Sequence, residues 1–265
     1  MTPEELRSLV VKVSAQAAKV GALPDEAEAG PPEGWIFEPV DPRSAGVVAD
    51  WMTPVALRWA TQLELDPREL ATVLAEGLSG RRRISAVEVA PNGWLAITLS
   101  DTARAKIIET VLAHPDTYGL RSGHQLVLPP EDPPGTRACD DPLYAAQLAH
   151  ARLCRLIRNA EAVGVEMRER DRLEDLTHVS ERLLLVALAD HPGRMARHEG
   201  DPAQRLRALT NLAELADAWT HPVRPLRVGE QPTSVHGARL ALATAARIVL
   251  RNGLAQLGVH APERM

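Results

Sequence analysis

An α+β domain followed by an all-α helical bundle is the architecture this sequence predicts. Three observations carry that expectation. Residues 84–90 and 94–99 are alternating apolar runs that flank Pro91-Asn92-Gly93, and Asn-Gly is the strongest short hairpin signal. Everything after Asp140 reads as helix. Between the halves, residues 114–139 hold Pro115, Pro129, Pro130, Pro133 and Pro134 with Gly119, Gly123 and Gly135, the composition of a connection. The expected organisation is residues 1–115 as helices on a small antiparallel sheet, 116–139 as linker and 140–265 as a helical domain.

The elements follow in order. Thr2-Pro3-Glu4-Glu5 is a capping box with proline at the first helical position. Leu6, Val10, Val13, Ala17 and Val20 continue it at helical spacing. Residues 21–34 are rich in proline, glycine and acid and read as loop. Residues 35–40 suit a short strand, and 49–63 return to a helical pattern. Asp66-Pro67 starts another helix, which Gly80 stops. Ser100 caps one more, to about Ala113, and residues 125–128 could add a short strand. In the second half, helices are expected over 142–163, 180–189, 202–218 and 235–257. Asp141, Ser180, Asp201 and Ser234 are their caps, and Pro192 and Gly258 are stops.

Composition bounds the function. The chain has 265 residues, 45 % apolar and 25 % charged, enough for a real core. The two cysteines, Cys139 and Cys154, support neither a disulfide framework nor a four-ligand zinc site. They read as a loop thiol and a buried helical thiol. No apolar run approaches the roughly 20 residues of a membrane span. The opening MTPEELRSLV carries acids where a secretion signal carries bases. A cytoplasmic protein is expected. Net charge is −5, but it is uneven. Residues 140–265 hold 17 arginines against 16 acids, while residues 1–139 hold 13 basic and 19 acidic side chains. The second half is the one suited to an anion.

Two stretches carry a resemblance. Residues 141–160 read DPLYAAQLAHARLCRLIRNA, and residues 238–265 end GLAQLGVHAPERM. An aromatic followed by Gln-x-Ala-His-Ala-Arg, and a terminal Gly-Leu-x-x-Leu-Gly-Val-x-Ala-Pro-Glu-Arg-Met, resemble the two ends of the anticodon-binding domain of arginyl-tRNA synthetases. In the first half, the segment Asp50-Trp51-Met52-Thr53-Pro54-Val55-Ala56-Leu57 and the stretch 92–100, NGWLAITLS, resemble motifs of that family's additional N-terminal domain. That domain touches the tRNA elbow near the D-loop. Pro54 and Ala96 stand where the family carries asparagine. A full synthetase would place several hundred residues of nucleotide-binding catalytic domain between these motifs; here only the linker separates them. His124 is followed by Gln125 and not by Gly-His, and no lysine follows Lys106. Adenylate formation needs cations on the transferring phosphates, and no P-loop or dinucleotide fingerprint replaces them.

The chain as a whole resembles the stand-alone, arginyl-tRNA-synthetase-related anticodon-binding proteins of actinobacteria, which lack the catalytic domain. The resemblance implies a non-catalytic tRNA-binding protein with no cofactor or metal. Arginine tRNA is the family default, with the anticodon arm on residues 140–265 and the elbow on 1–115. The alternative is a protein-interaction or regulatory module that has lost RNA binding; the acidic first half, the sparse aromatics and Pro54 favour it.

Single-stranded loops are read by aromatic and arginine stacking and by hydrogen bonds to base edges. Candidates are therefore Tyr144, Gln147, His150 and Arg152, on or near one face of the first C-terminal helix, and Trp219, where the family is aromatic-rich. Arg155, Arg158, Arg247 and Arg251 suit phosphate contacts. Arg264 and Met265 belong to an expected exposed tail that lies, in the family, beside the anticodon loop. Each has a plainer reading: Tyr144 and Trp219 as core aromatics, His150 as a satisfied core histidine, the arginines as a solvated helix face. His191 and His198 flank Pro192-Gly193 as a weak metal pair, and Arg81, Arg82 and Arg83 read as a solvated turn before a strand.

Overall fold

The computed structural model describes residues 1–34, 37–40, 49–121, 123–131, 138, 140–168, 171–219 and 221–265. The chain divides into two compact units, Met1–Arg104 and Ala105–Met265. Eight α-helices and four strands occur among the described residues.

In the first unit, α1 (Pro3–Lys19) opens on the expected capping box, with the Thr2 hydroxyl accepting from the Glu5 amide. Strand β1 (Glu38–Pro39) lies within the expected segment 35–40, whose Trp35 and Ile36 fall outside the described residues. The helical reading of 49–63 needs correction. Trp51–Thr53 is a strand, β2, wedged antiparallel between β1 and β4, and the helix α2 (Val55–Trp59) begins only after Pro54. Ladder pairing on both edges of β2 overrides the local helical pattern. Helix α3 (Pro67–Leu78) is capped by Asp66 through the Arg68 and Glu69 amides. Strands β3 (Ile84–Val89) and β4 (Leu95–Leu99) form the expected hairpin, with Gly93 at φ 80° in its turn. The sheet order is β1-β2-β4-β3, antiparallel throughout. Helices α1 and α3 pack together, and a Cβ on Gly77 would come within 2.4 Å of Val13 Cγ1, so only glycine allows that approach. Helix α4 (Asp101–Ala113) follows and runs across the division between the two units; the Ser100 hydroxyl accepts from the Ala103 amide.

A buried ion pair sits inside this unit. Asp50 and Arg104 are 4 % and 2 % exposed. The Arg104 Nε and Nη2 donate to the two Asp50 oxygens at 2.9 and 2.8 Å. The Leu99 amide donates to Asp50 at 2.7 Å, and Arg104 Nη2 also reaches the Leu99 carbonyl at 2.8 Å. The bidentate pair thus ties β4 and α4 to the start of β2.

The second unit is a bundle of α5 (Pro142–Glu161), α6 (Val179–Arg197), α7 (Pro202–Ala218) and α8 (Ser234–Gln256). Helices α5 and α8 pack together, α7 packs on α5 and α6, and α8 is buried around most of its circumference. Asp141 and Asp201 cap as expected. Two other caps lie upstream of the expected serines. His178 caps α6 with Glu181 closing the box, and Thr233 caps α8 with His236. A side chain that reaches the third amide defines the cap, and His178 does so where Ser180 is already helical.

Pro192 does not end α6, which runs on to Arg197. Proline removes the N–H that would satisfy the carbonyl four residues back, that of Leu188. The Tyr118 hydroxyl donates to this carbonyl at 2.7 Å. Across the same point, Asp190 accepts from Arg194 at 2.7 Å and from Arg197 at 3.4 Å. These contacts hold the second half of the helix in line. They also anchor the beginning of the stretch expected to be a linker: Tyr118 is 8 % exposed, and Asn252 on α8 donates to the carbonyls of Pro115 and Tyr118, each at 2.9 Å. Replacing Tyr118 by phenylalanine leaves the Leu188 carbonyl without a partner. It should lower the stability of the helical unit by about 1–3 kcal/mol in urea titrations; an unchanged midpoint would show that the carbonyl is satisfied some other way.

Candidate nucleic-acid interface

The candidate residues of α5 do not share one face. Two residues along a helix turn the side chain through about 200°, so His150 and Arg152 point nearly oppositely. Gln147 and His150 are buried, at 4 % and 3 % exposure, and both hold the C-terminal tail. Gln147 Nε2 donates to the His260 carbonyl at 2.8 Å, and His150 Nδ1 lies 2.8 Å from the Pro262 carbonyl. A carbonyl only accepts, so Nδ1 carries the proton. Arg152 is exposed and pairs with Asp217 of α7. The grouping of all four therefore needs correction: two pin the tail and one staples helices. Tyr144 is half-buried, and Arg155 is exposed with no bond among the described residues. Trp219 is 3 % exposed and buries an indole Nε1 that has no partner among the described residues. That is a core position rather than an open stacking platform.

The tail is also not free along its whole length. The side chains of α5 hold it through Pro262, and Arg158 reaches the Glu263 carbonyl at 3.3 Å. Arg264 and Met265 remain exposed. Arg251 is partly committed: its Nη2 donates to the Pro115 carbonyl and to Asp116, each at 2.8 Å.

Between this tail, α8 and residues 128–131 lies a cavity of about 740 Å³. Arg247, Arg251, Arg264, His150 and His260 line it, with Glu131 and Glu263. Neither Arg247 nor Arg264 pairs with a carboxylate among the described residues. The cavity is a cationic recess, floored by a buried neutral imidazole. His260 and Glu131 carried no sequence signal; only the return of the tail against α8 brings them here. Cys154, on the α5 face behind His150, is a buried free thiol whose pKa burial pushes up, while Arg247 opposes that shift. Cys139 lies outside the described residues, and no cluster of three or more metal-ligating side chains occurs among the described ones.

Burial holds His150 and His191 neutral, each lowered to about 4. Arg247 and Arg251 add to the effect at His150, and Arg194 and Arg205 at His191. The sign follows directly. A folded pKa below the ordinary 6.5 means the unfolded chain takes up protons first, so stability is full above about pH 6.5 and falls as pH drops towards 4. Melting temperature should decline steeply across that window, and His191→Gln should flatten the decline. An equally steep profile in the variant would remove His191 as a cause.

Residues 146–265 match the family model of the DALR anticodon binding domain, and residues 12–99 match that of the arginyl tRNA synthetase N terminal domain. The chain is 41 % identical over 133 residues to an arginine–tRNA ligase of Kineococcus radiotolerans, covering 49 % of this chain and 24 % of that protein. Among solved structures, Thermus thermophilus arginyl-tRNA synthetase matches at 27 % identity and a TM-score of 0.37, over 45 % of this chain and 20 % of that one. The chain thus spans about a quarter of the length of the curated relative it matches. No helix among the described residues is long and apolar enough to cross a membrane. The chain is a homologue of arginyl-tRNA synthetases that carries their N-terminal domain and their DALR anticodon-binding domain, with only residues 100–145 between the two matches.

Proposed function

We infer that this protein binds a tRNA without aminoacylating it, taking the anticodon arm on residues 140–265 and the elbow on residues 1–115. The observation that carries the reading is the cationic cavity beside the tail, set within the segment that matches an anticodon-binding domain. Arg247 and Arg264 supply charge for phosphates, Arg155 extends that charge along α5, and the half-buried Tyr144 offers a ring edge for a base. Gln147 and His150 act indirectly, by fixing the tail that walls the cavity. Arginine tRNA is the first ligand to test, because the similar proteins carry that amino acid in their names. The non-catalytic part rests on the short connection, on His124 lacking a Gly-His partner and on the absence of lysine after Lys106.

Binding of arginine tRNA and of its isolated anticodon stem-loop should be measured from low to physiological salt. Arg247→Ala and Arg264→Ala should each weaken binding and lower the slope of log K against log salt by about one. ATP–pyrophosphate exchange with arginine should stay at background. Binding no tighter than that of an unrelated protein of similar charge would end the RNA reading. One feature would then favour a protein partner: Glu230 accepts from the Leu226 and Arg227 amides, each at 3.1 Å, and locks a loop that presents the exposed side chains of Leu226 and Val228.

A further inference from the structure

A second cavity in the helical unit has the chemistry of a small-molecule site; it adjoins the recess beside the tail, sharing Ala255 with it, but is lined by different charged groups. Its volume is about 400 Å³, within the range of roughly 300–1,000 Å³ that small ligands occupy. Leu120, Leu126 and Met195 give it an apolar lining, and His124, Gln125 and Arg205 give it a polar one. Its charge is unbalanced. The rim cation Arg121 is neutralised by Glu199 at 2.7 Å. Arg205 pairs with no carboxylate among the described residues.

Arg205 has a structural task, but that task does not account for all of it. Its Nη2 donates to the backbone carbonyl of Gln256 at 3.2 Å and to the Gln256 side chain at 3.4 Å, and so closes the C-terminal end of α8. Its Nε is buried and has no partner among the described residues. A buried donor left unsatisfied is costly and uncommon in a settled fold. The neighbouring His191 is held neutral mainly by burial, with the fields of Arg194 and Arg205 adding to it. Gln125, Leu126 and Val127 line the cavity and make no backbone–backbone hydrogen bond among the described residues.

We propose that this cavity binds a small anion with an apolar body, a carboxylate or phosphate metabolite whose charged end meets Arg205 and whose body lies against Leu120, Leu126 and Met195. The guanidinium offers a planar pair of donors suited to either anion. The apolar wall selects against bare inorganic ions.

The test uses the full chain labelled with nitrogen-15, following the Arg205 Nε–H resonance. Three probes are titrated: N-acetyl-L-leucine, N-acetyl-L-leucinamide with the same body and no charge, and inorganic phosphate. N-acetyl-L-leucine should shift the Arg205 resonance saturably, with Kd below about 1 mM, and the amide should not. Arg205→Gln should weaken binding at least tenfold. Ala196→Trp places bulk at an exposed wall position and should block binding while leaving the melting temperature unchanged. Saturation by inorganic phosphate at similar concentration would overturn the proposal, because the apolar wall would then select nothing; saturation by the carboxylate alone would support it. No saturable shift with N-acetyl-L-leucine up to about 20 mM, or equal affinity in Arg205→Gln, would overturn the proposal. None of these readouts depends on tRNA binding, so failure here leaves the reading of the first cavity untouched.

Discussion

Asp50→Asn is expected to cost the N-terminal unit about 3–5 kcal/mol, the largest loss from any single polar change in it. The reason is the asymmetry of buried charge. Arg104 is 2 % exposed, and three of its bonds end on Asp50 or on the Leu99 carbonyl beside it. Neutralising Asp50 leaves a guanidinium in a dry site with no anion facing it except Asp101 at the margin. For a unit of this size, such a loss lowers melting by well over about 10 °C. Hydrogen exchange on the full chain should show β2 and β4 losing protection together, because Asp50 also holds the Leu99 amide. The double variant Asp50→Leu with Arg104→Met should recover most of the lost stability, since apolar replacement of a whole buried pair is close to neutral. A single variant that costs less than about 1 kcal/mol would show that water already reaches the pair.

Trp219→Ala should be comparably damaging in the helical unit, by about 3–5 kcal/mol. Trp219 caps the end of α7 and is 3 % exposed, so its removal opens a cavity at that end of the helix. Affinity for an anticodon stem-loop, measured well below the transition, should stay near wild type. A stacking role would give the reverse: melting unchanged and binding weaker by about 1–3 kcal/mol. Measuring both quantities on the same variant separates the roles. The orphaned indole Nε1 sharpens the comparison. Trp219→Phe removes that unsatisfied donor while keeping most of the ring, and should cost less than alanine.

The parts of this fold that could be read in advance are those with short-range causes. Thr2, Asp66, Asp141 and Asp201 cap helices through amides two or three residues away, and the Asn92-Gly93 turn sets its hairpin locally. Two other features have distant causes. Pro192 reads as a stop because nothing near it reveals that Tyr118, 70 residues from Leu188, supplies the missing donor. Trp51 sits in a helical pattern but joins a ladder with Ile97. The candidate site divides in the same way. Arg155 and Arg264 are exposed, and Tyr144 is half-buried. Gln147 and His150 carry the right chemistry but spend it on the backbone of a tail more than 100 residues away. The cavity beside that tail depends on the tail's return path, which no periodicity encodes.

The Tyr118 hydroxyl bears on how this molecule is taken apart at the bench. A helical fragment begun at residue 140 would look complete by helix count, yet it would lack the donor that fills the gap opposite Pro192. It would also lack the carbonyls that Asn252 and Arg251 grip on α8. Its α6 would be free to bend at the proline, and the ends of α6 and α8 would fray together. The self-sufficient piece starts upstream of Pro115, so the stretch after α4 belongs to the helices that follow it in the sequence, as a stitch that must be inherited with them.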